Sequence, residues 1–158
     1  MTTTNTEKSR RENFETCKRI AEELDAIANG NMVKCPECGE IFDIYDEMFG
    51  GYSIDENDQE KCTCPNCGAT EYDRGEVFED FTLLDYFESA LDIEYICASR
   101  NEYRGVRVMV TCGGPNIYVD TMSKKVEMYW WTETASALLS DEAVDAIDEL
   151  FEELFLCS

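Results

Sequence analysis

"CPECGEIF", residues 35–42, and "CPNCGATE", residues 64–71, set the same Cys-Pro-x-Cys-Gly device into one chain twice, 29 residues apart. Each Cys-x-x-Cys pair delivers two thiolates from one tight turn, and two pairs complete the four soft ligands that a tetrahedral metal site takes. Gly39 and Gly68 follow the second cysteine of each pair, where a positive φ turns backbone N–H groups toward the sulfurs. Pro36 and Pro65 occupy the same place in each turn. The expectation is a zinc ribbon with Cys35, Cys38, Cys64 and Cys67 as ligands. The Zn2+ would be structural, because four thiolates leave no position for a catalytic water. Cys62, in "CTCPNC", is an alternative to Cys64 that breaks the symmetry of the two turns. CPxC also serves thiol oxidoreductases, but those carry one such motif at the start of a helix in a βαβ setting, which fits neither the number nor the context here. A ribbon this small has little core, so metal binding is expected to supply much of its folding free energy.

Outward from these turns, the chain of 158 residues suits one ordinary domain or two small modules, and 44% apolar residues suffice for a core. No apolar run approaches the ~20 residues of a membrane span, and "MTTTNTEKSRRENFET" lacks the apolar stretch of a secretory signal. The expected setting is therefore cytoplasmic, inside a host cell, with no membrane contact. Nine cysteines, an odd number with paired spacing, then mean metal ligation plus reduced thiols. Cys17, Cys62, Cys97, Cys112 and Cys157 are expected as small core residues. The absence of histidine removes the commonest general base, the Ser-His and Cys-His nucleophile pairs and His-ligated catalytic metals. No catalytic residue is assigned, and the expectation is a protein that is not an enzyme.

The net charge of -22 argues against direct nucleic-acid binding, whose affinity comes mainly from Lys and Arg displacing counterions. The acidity belongs to the body: residues 1–34 balance six acids against six bases, while residues 35–80 set fourteen acids against two bases. The segment "DIYDEMFGGYSIDENDQE" only superficially resembles a calcium loop, since Glu60 stands where an EF-hand needs its turning glycine.

Phe14, Cys17, Ala21, Leu24 and Ile27 recur at helical spacing over residues 7–28, and Asn29-Gly30 is a credible stop. Residues 81–91 read as a helix, followed by strands near 93–98, 105–112, 116–121 and 126–131, then a helix over 140–156. The fold class is thus α+β: an N-terminal helix over 1–30, a four-cysteine ribbon over 31–78, and an acidic helix–antiparallel sheet–helix module over 79–158. On the closing helix, Val144, Ile147, Leu150, Phe151 and Leu154 form a stripe to be buried. Asp141, Asp145, Asp148, Glu149 and Glu152 face away from it, with Ser140 as N-cap. Three readings of this acidic face stand: a solvated face, halophilic adaptation, or carboxylates displayed to a basic protein as stand-ins for phosphate. In the hairpin, Val119, Val126, Met128 and Trp130 are placed toward the core. Tyr118, Asp120, Glu127, Tyr129 and Trp131 then share the other face with Arg107 and Met109, either as a partner surface or beneath a covering helix.

"GGPNIYVDTMSKKVEMYWW" followed by "LSDEAVDAIDELFEEL", within residues 81–158, resembles small acidic accessory proteins of phages and conjugative elements. The order of glycine pair, aromatic strands and acidic helix is similar to the ArdB/KlcA antirestriction family, and the acidic helix–sheet–helix order is similar to several anti-CRISPR proteins. The resemblance implies a protein partner with a basic nucleic-acid-binding surface, such as a Cas or restriction nuclease. Tyr118, Tyr129, Trp131 and the carboxylates of the closing helix are the expected contacts. The competing expectation is a zinc-ribbon adaptor that joins two proteins in transcription, translation or replication.

Overall fold

A computed structural model describes residues 2–48, 50–99 and 101–158, with side chains from Asn5 onward. Helix α1 (Thr2–Ala28) buries Cys17, Ile20, Ala21, Leu24 and Ile27, the stripe that its apolar spacing dictates. Phe14, expected within that stripe, is 47% exposed instead. The helix closes as Asn29 and Gly30 donate back to Asp25 and Ile27 carbonyls, with Gly30 at φ +75°.

Six short strands follow: β1 (Met32–Lys34), β2 (Ile41–Asp43), β3 (Tyr52–Ile54), β4 (Glu60–Thr63), β5 (Thr70–Glu71) and β6 (Glu79–Asp80). They make two antiparallel three-stranded sheets, in the orders β2-β1-β6 and β3-β4-β5. Between them lies a small core of Val33, Phe42, Ile44 and Phe78 with Cys35, Cys62 and Cys64. Phe42 and Phe78 meet edge to face with centroids 5.4 Å apart.

Helix α2 (Leu83–Phe87) is shorter than the expected 81–91. Thr82 and Asp85 form a reciprocal capping box at its start, and the chain turns at Ala90 to enter the sheet. Strands β7 (Asp92–Ala98), β8 (Glu102–Thr111), β9 (Asn116–Asp120), β10 (Lys125–Trp130) and β11 (Glu133–Leu138) form a five-stranded antiparallel meander in the order β11-β10-β9-β8-β7. The expected strands fall on β7 to β10. Strand β11 was not foreseen, because "ETASAL" carries small residues and little β-propensity. Helix α3 (Asp141–Leu156) closes the fold.

One core joins α1, the inner sheet face and α3: Leu24 and Cys17 meet Val106, Val108, Val119, Val126 and Met128, with Val144, Ile147 and Phe151 completing it. The N-terminal helix, read from sequence as a segment of its own, thus shares the core of residues 79–158. Ala135 and Ala137 of β11 pack against this core. Ser9 and Asn13 of α1 donate to the Glu133 carboxylate at 3.0 and 3.2 Å. A third, small cluster of Ala26, Ile27 and Met32 ties the end of α1 to β1. Of the cysteines expected in the core, Cys17 and Cys62 are buried, whereas Cys97, Cys112 and Cys157 are exposed. Cys97 falls at a bulge on edge strand β7, Cys112 just past the end of β8, and Cys157 at the α3 C-cap. Among the described residues, no helix is long and apolar enough to cross a membrane.

Candidate metal centre and acidic surface

The two Cys-Pro-x-Cys-Gly turns are the connections of the β1–β2 and β4–β5 hairpins, and their backbones repeat each other bond for bond. Cys35 N–H donates to the Glu40 carbonyl and Gly39 N–H to the Cys35 carbonyl, both at 2.8 Å. Cys64 N–H donates to Ala69 at 2.8 Å and Gly68 N–H to Cys64 at 3.0 Å. Gly39 and Gly68 take φ of +80° and +78°, the left-handed turn that a side chain would strain.

The four sulfurs of Cys35, Cys38, Cys64 and Cys67 lie within 4.8 Å of one another. Cys35 Sγ stands 3.7 Å from Cys67 Sγ, and Cys38 Sγ stands 3.6 Å from Cys64 Sγ. A disulfide would need ~2.05 Å, whereas a tetrahedron with metal–sulfur bonds of about 2.3 Å has edges of about 3.8 Å. The spacing is that of four thiolates arranged to hold a metal ion. Cys35 and Cys64 are buried and Cys38 and Cys67 exposed, so the cluster sits at the ribbon surface with one side in the core. Cys62 is buried but is not one of the four.

Without a metal, the cluster is electrostatically uneven. A hydrogen bond from the Asn66 side chain, then the Glu40 amide, brings the Cys38 thiol down to about 7. At Cys67 the equivalent Ala69 amide acts to lower the thiol, but desolvation and the neighbouring sulfurs push it up to about 12. A bound cation removes this conflict by letting all four sulfurs be anionic.

The carboxylates of α3 divide into two groups. Asp141 pairs with Lys124 Nζ at 3.2 Å, and Asp148, half-buried, accepts the Tyr103 hydroxyl at 2.7 Å. That carboxylate, after burial itself, drives the Tyr103 hydroxyl far above its ordinary range. Asp145, Glu149 and Glu152 are exposed and, with Glu142, recur at i, i+3, i+7 and i+10 along one stripe. Among the described residues none of these four is ion-paired, and the stripe offers a charge every ~4.5–6 Å of helix axis.

The aromatic face lies on the other side of the sheet. Alternation sends Val108, Val119 and Val126 inward to α1 and α3, and sends Arg107, Tyr118, Asp120 and Glu127 outward. Arg107 Nη1 reaches Asp120 at 3.2 Å and Glu127 at 3.5 Å, and its guanidinium lies 4.2 Å from the Tyr118 ring centroid. Tyr129 stands edge to face with Tyr118 at 5.9 Å and donates to Glu127. Glu127 is raised by its burial, but the Tyr129 and Ser123 hydroxyls and Arg107 outweigh this and hold its carboxyl below the ordinary range. Trp131 does not belong to this face: it sits in the β10–β11 turn at φ +57°, 90% exposed. Trp130, expected in the core, is 37% exposed beside it at the last position of β10, its ring edge to face with that of Trp131 at 6.3 Å. The structure therefore gathers the four cysteines and aligns Asp145, Glu149 and Glu152, but it separates that stripe from Tyr118 and Tyr129 by the thickness of the sheet.

One buried carboxylate carried no signal in the sequence. Glu71, among the many acids of the ribbon, is 2% exposed and binds the Val77 and Phe78 amides at 3.0 and 2.8 Å. Compared with known protein families, curated proteins and solved structures, the chain matches none of them. The class that fold and site define is an acidic α+β protein with a four-cysteine cluster placed to hold a metal.

Proposed function

We propose that this is a non-enzymatic zinc-ribbon protein that binds and inhibits a host nucleic-acid-binding defence protein, a Cas or restriction nuclease, by presenting carboxylates where that protein expects phosphates. The observation that carries the reading is the row Glu142, Asp145, Glu149 and Glu152. It is exposed, without a cation partner among the described residues, and fixed in place by a helix whose opposite side is buried. A solubilising surface needs no such order, and like charges four residues apart cost a helix a few tenths of a kcal/mol per pair. A basic cleft built for DNA meets a regular line of negative charge in both cases. Zinc is the ion that four thiolates at tetrahedral spacing favour, and its task is to fold the ribbon and fix its attachment beside α1.

The separation of the acidic stripe from the Arg107–Tyr118–Tyr129 face favours a second reading, an adaptor that engages one protein on each side of the sheet. Affinity capture from a cell with active restriction and CRISPR systems separates the two. We compare the native chain with one carrying Asp145→Lys, Glu149→Lys and Glu152→Lys. The inhibitor reading expects nucleic-acid-binding partners that are lost on charge reversal and bind more weakly as salt rises, chiefly through slower association. Recovery of the same partners with both chains contradicts it.

A further inference from the structure

We infer that strand β11 is a dimerisation edge: it pairs antiparallel with β11 of a second copy of this chain, and helix α1 of each copy lies alongside the other. Strand β11 is outermost in the five-stranded sheet and joined only to β10. Leu139 N–H donates to the Lys124 carbonyl at 2.9 Å, which fixes the phase of that ladder. Ala137, Ala135 and Glu133 then bond to β10, while the main-chain N–H and C=O groups of Thr134, Ser136 and Leu138 point to the free edge. Among the described residues, no further strand or side chain takes those groups up.

A free edge invites pairing, and chains deter it with charge or with a bulge. The opposite edge, β7, has both: Asp92 and Glu94 stand on it, and its register breaks between Ile96 and Cys97. Strand β11 has neither. Its one charge, Glu133, stands at its first position and accepts Ser9 and Asn13, which leaves Thr134–Leu138 uncharged and regular. In a chain of net charge -22, such an edge suits an equally uncharged strand, and β11 is itself one. A two-fold axis at Ser136 sets Thr134 opposite Leu138 of the second copy and Ser136 opposite Ser136. Each such pair exchanges two hydrogen bonds, and no charged side chain faces its like.

Helix α1 supplies the charge complementarity. It runs beside β11 in the same direction, with Ser9 and Asn13 at Glu133 and Asp25 at Ser140. Lys18, Ala21 and Asp25 line a groove of about 550 Å³ with Leu138 and Ser140, so that side of α1 flanks the free edge. Arg11 and Phe14 continue the same row at intervals of three and four. The groove is acidic, since Glu22, Asp43 and Glu47 join Asp25 in its walls. An axis at Ser136 reverses the second helix and brings the second copy's Glu133, with its Ser9 and Asn13, beside Leu139. Arg11 is exposed and pairs with no carboxylate among the described residues. In the dimer it stands next to the other copy's acidic groove, and symmetry makes the contact twice. Phe14, 47% exposed, and Leu138, 74% exposed, gain apolar cover in the same step.

The test is sedimentation of the full-length, zinc-loaded chain over a hundred-fold range of concentration, in about 0.15 M salt to screen long-range repulsion. Dimer is expected to accumulate with concentration. Amide hydrogen exchange at Thr134, Ser136 and Leu138 should slow at least ten-fold in step with it, with the β7 amides unchanged. Ser136→Pro removes an N–H that β10 does not use, so the sheet should stand while the dimer weakens at least ten-fold. Arg11→Glu, on an exposed helix face, should weaken it by a similar factor, and it decides the matter if the proline variant does not fold. A monomer at every concentration, a dimer of native strength in Arg11→Glu or in folded Ser136→Pro, or edge amides that stay unprotected overturns the proposal. So does protection that appears only with a captured partner bound, which assigns the edge to an extended segment of that partner. None of these readouts uses Asp145, Glu149 or Glu152, so the dimer and the proposed function stand or fall separately.

Discussion

Cys38 and Cys67 approach the cluster from the solvent side, while Cys35 and Cys64 approach from the core. Cys38→Ser or Cys67→Ser should therefore abolish stable metal binding without creating a cavity. Elemental analysis of the purified variants should find the metal gone. Amide signals of residues 32–80 should collapse, while those of the five-stranded sheet, which has its own core, persist. On the outer sheet face, Arg107 sits between two carboxylates with 27% of its side chain exposed. Arg107→Met leaves the buried Asp120 facing the partly buried Glu127 without a cation between them and should cost about 1–3 kcal/mol in denaturant unfolding. Glu127 is held below the ordinary carboxylate range when folded, so its pairing stabilises above about pH 4 and is lost as pH falls through the lowered value. An acid titration should show a smaller loss for Glu127→Gln than for the native chain. The cysteine set was legible at this scale because ligand geometry is written in local spacing. Glu71 was not, because its burial depends on two amides six and seven residues away that only the folded loop brings to it.

At the scale of elements, Ser140 joins two helices. Its hydroxyl oxygen accepts the Ala143 amide at 3.0 Å as N-cap of α3 and donates to Asp25 of α1. Ser140→Ala removes both and should lower stability by about 1–2 kcal/mol, read as a shift in denaturation midpoint with unchanged slope. The periodic elements, α1, β8 and α3, could be read from the chain because one buried face imposes a repeat on them. Strand β11 could not, since its inward residues are alanines. Small side chains are what the nearby helix α1 demands, and that demand is tertiary. For the same reason the sequence left α1 as a separate segment: an amphipathic stripe says that a face is buried, not against what. Trp130 is more exposed than alternation implies because it is the last residue of β10, beside the turn at Trp131.

Across the whole molecule, charge and shape are distributed unequally over three surfaces: the α3 stripe, the Arg107–Tyr118–Tyr129 sheet face, and the ribbon with its cysteine cluster. Glu152 and Glu153 lie at the negative end of the α3 dipole, where an acid is unfavourable. Glu152→Lys should therefore raise stability by a few tenths of a kcal/mol, through the dipole and a new i,i+4 attraction to Asp148, while weakening partner binding. A gain in melting temperature together with a loss of binding is the signature of a residue kept for its surface role. The direct measurement is nucleic-acid displacement. A captured partner is loaded with labelled DNA or RNA and titrated with the native chain, then with the chain carrying Asp145→Lys, Glu149→Lys and Glu152→Lys. Release of label by the native chain alone, weakening as salt rises, is the predicted result. Equal release by both, or native protein bound with the label still in place, would contradict the account.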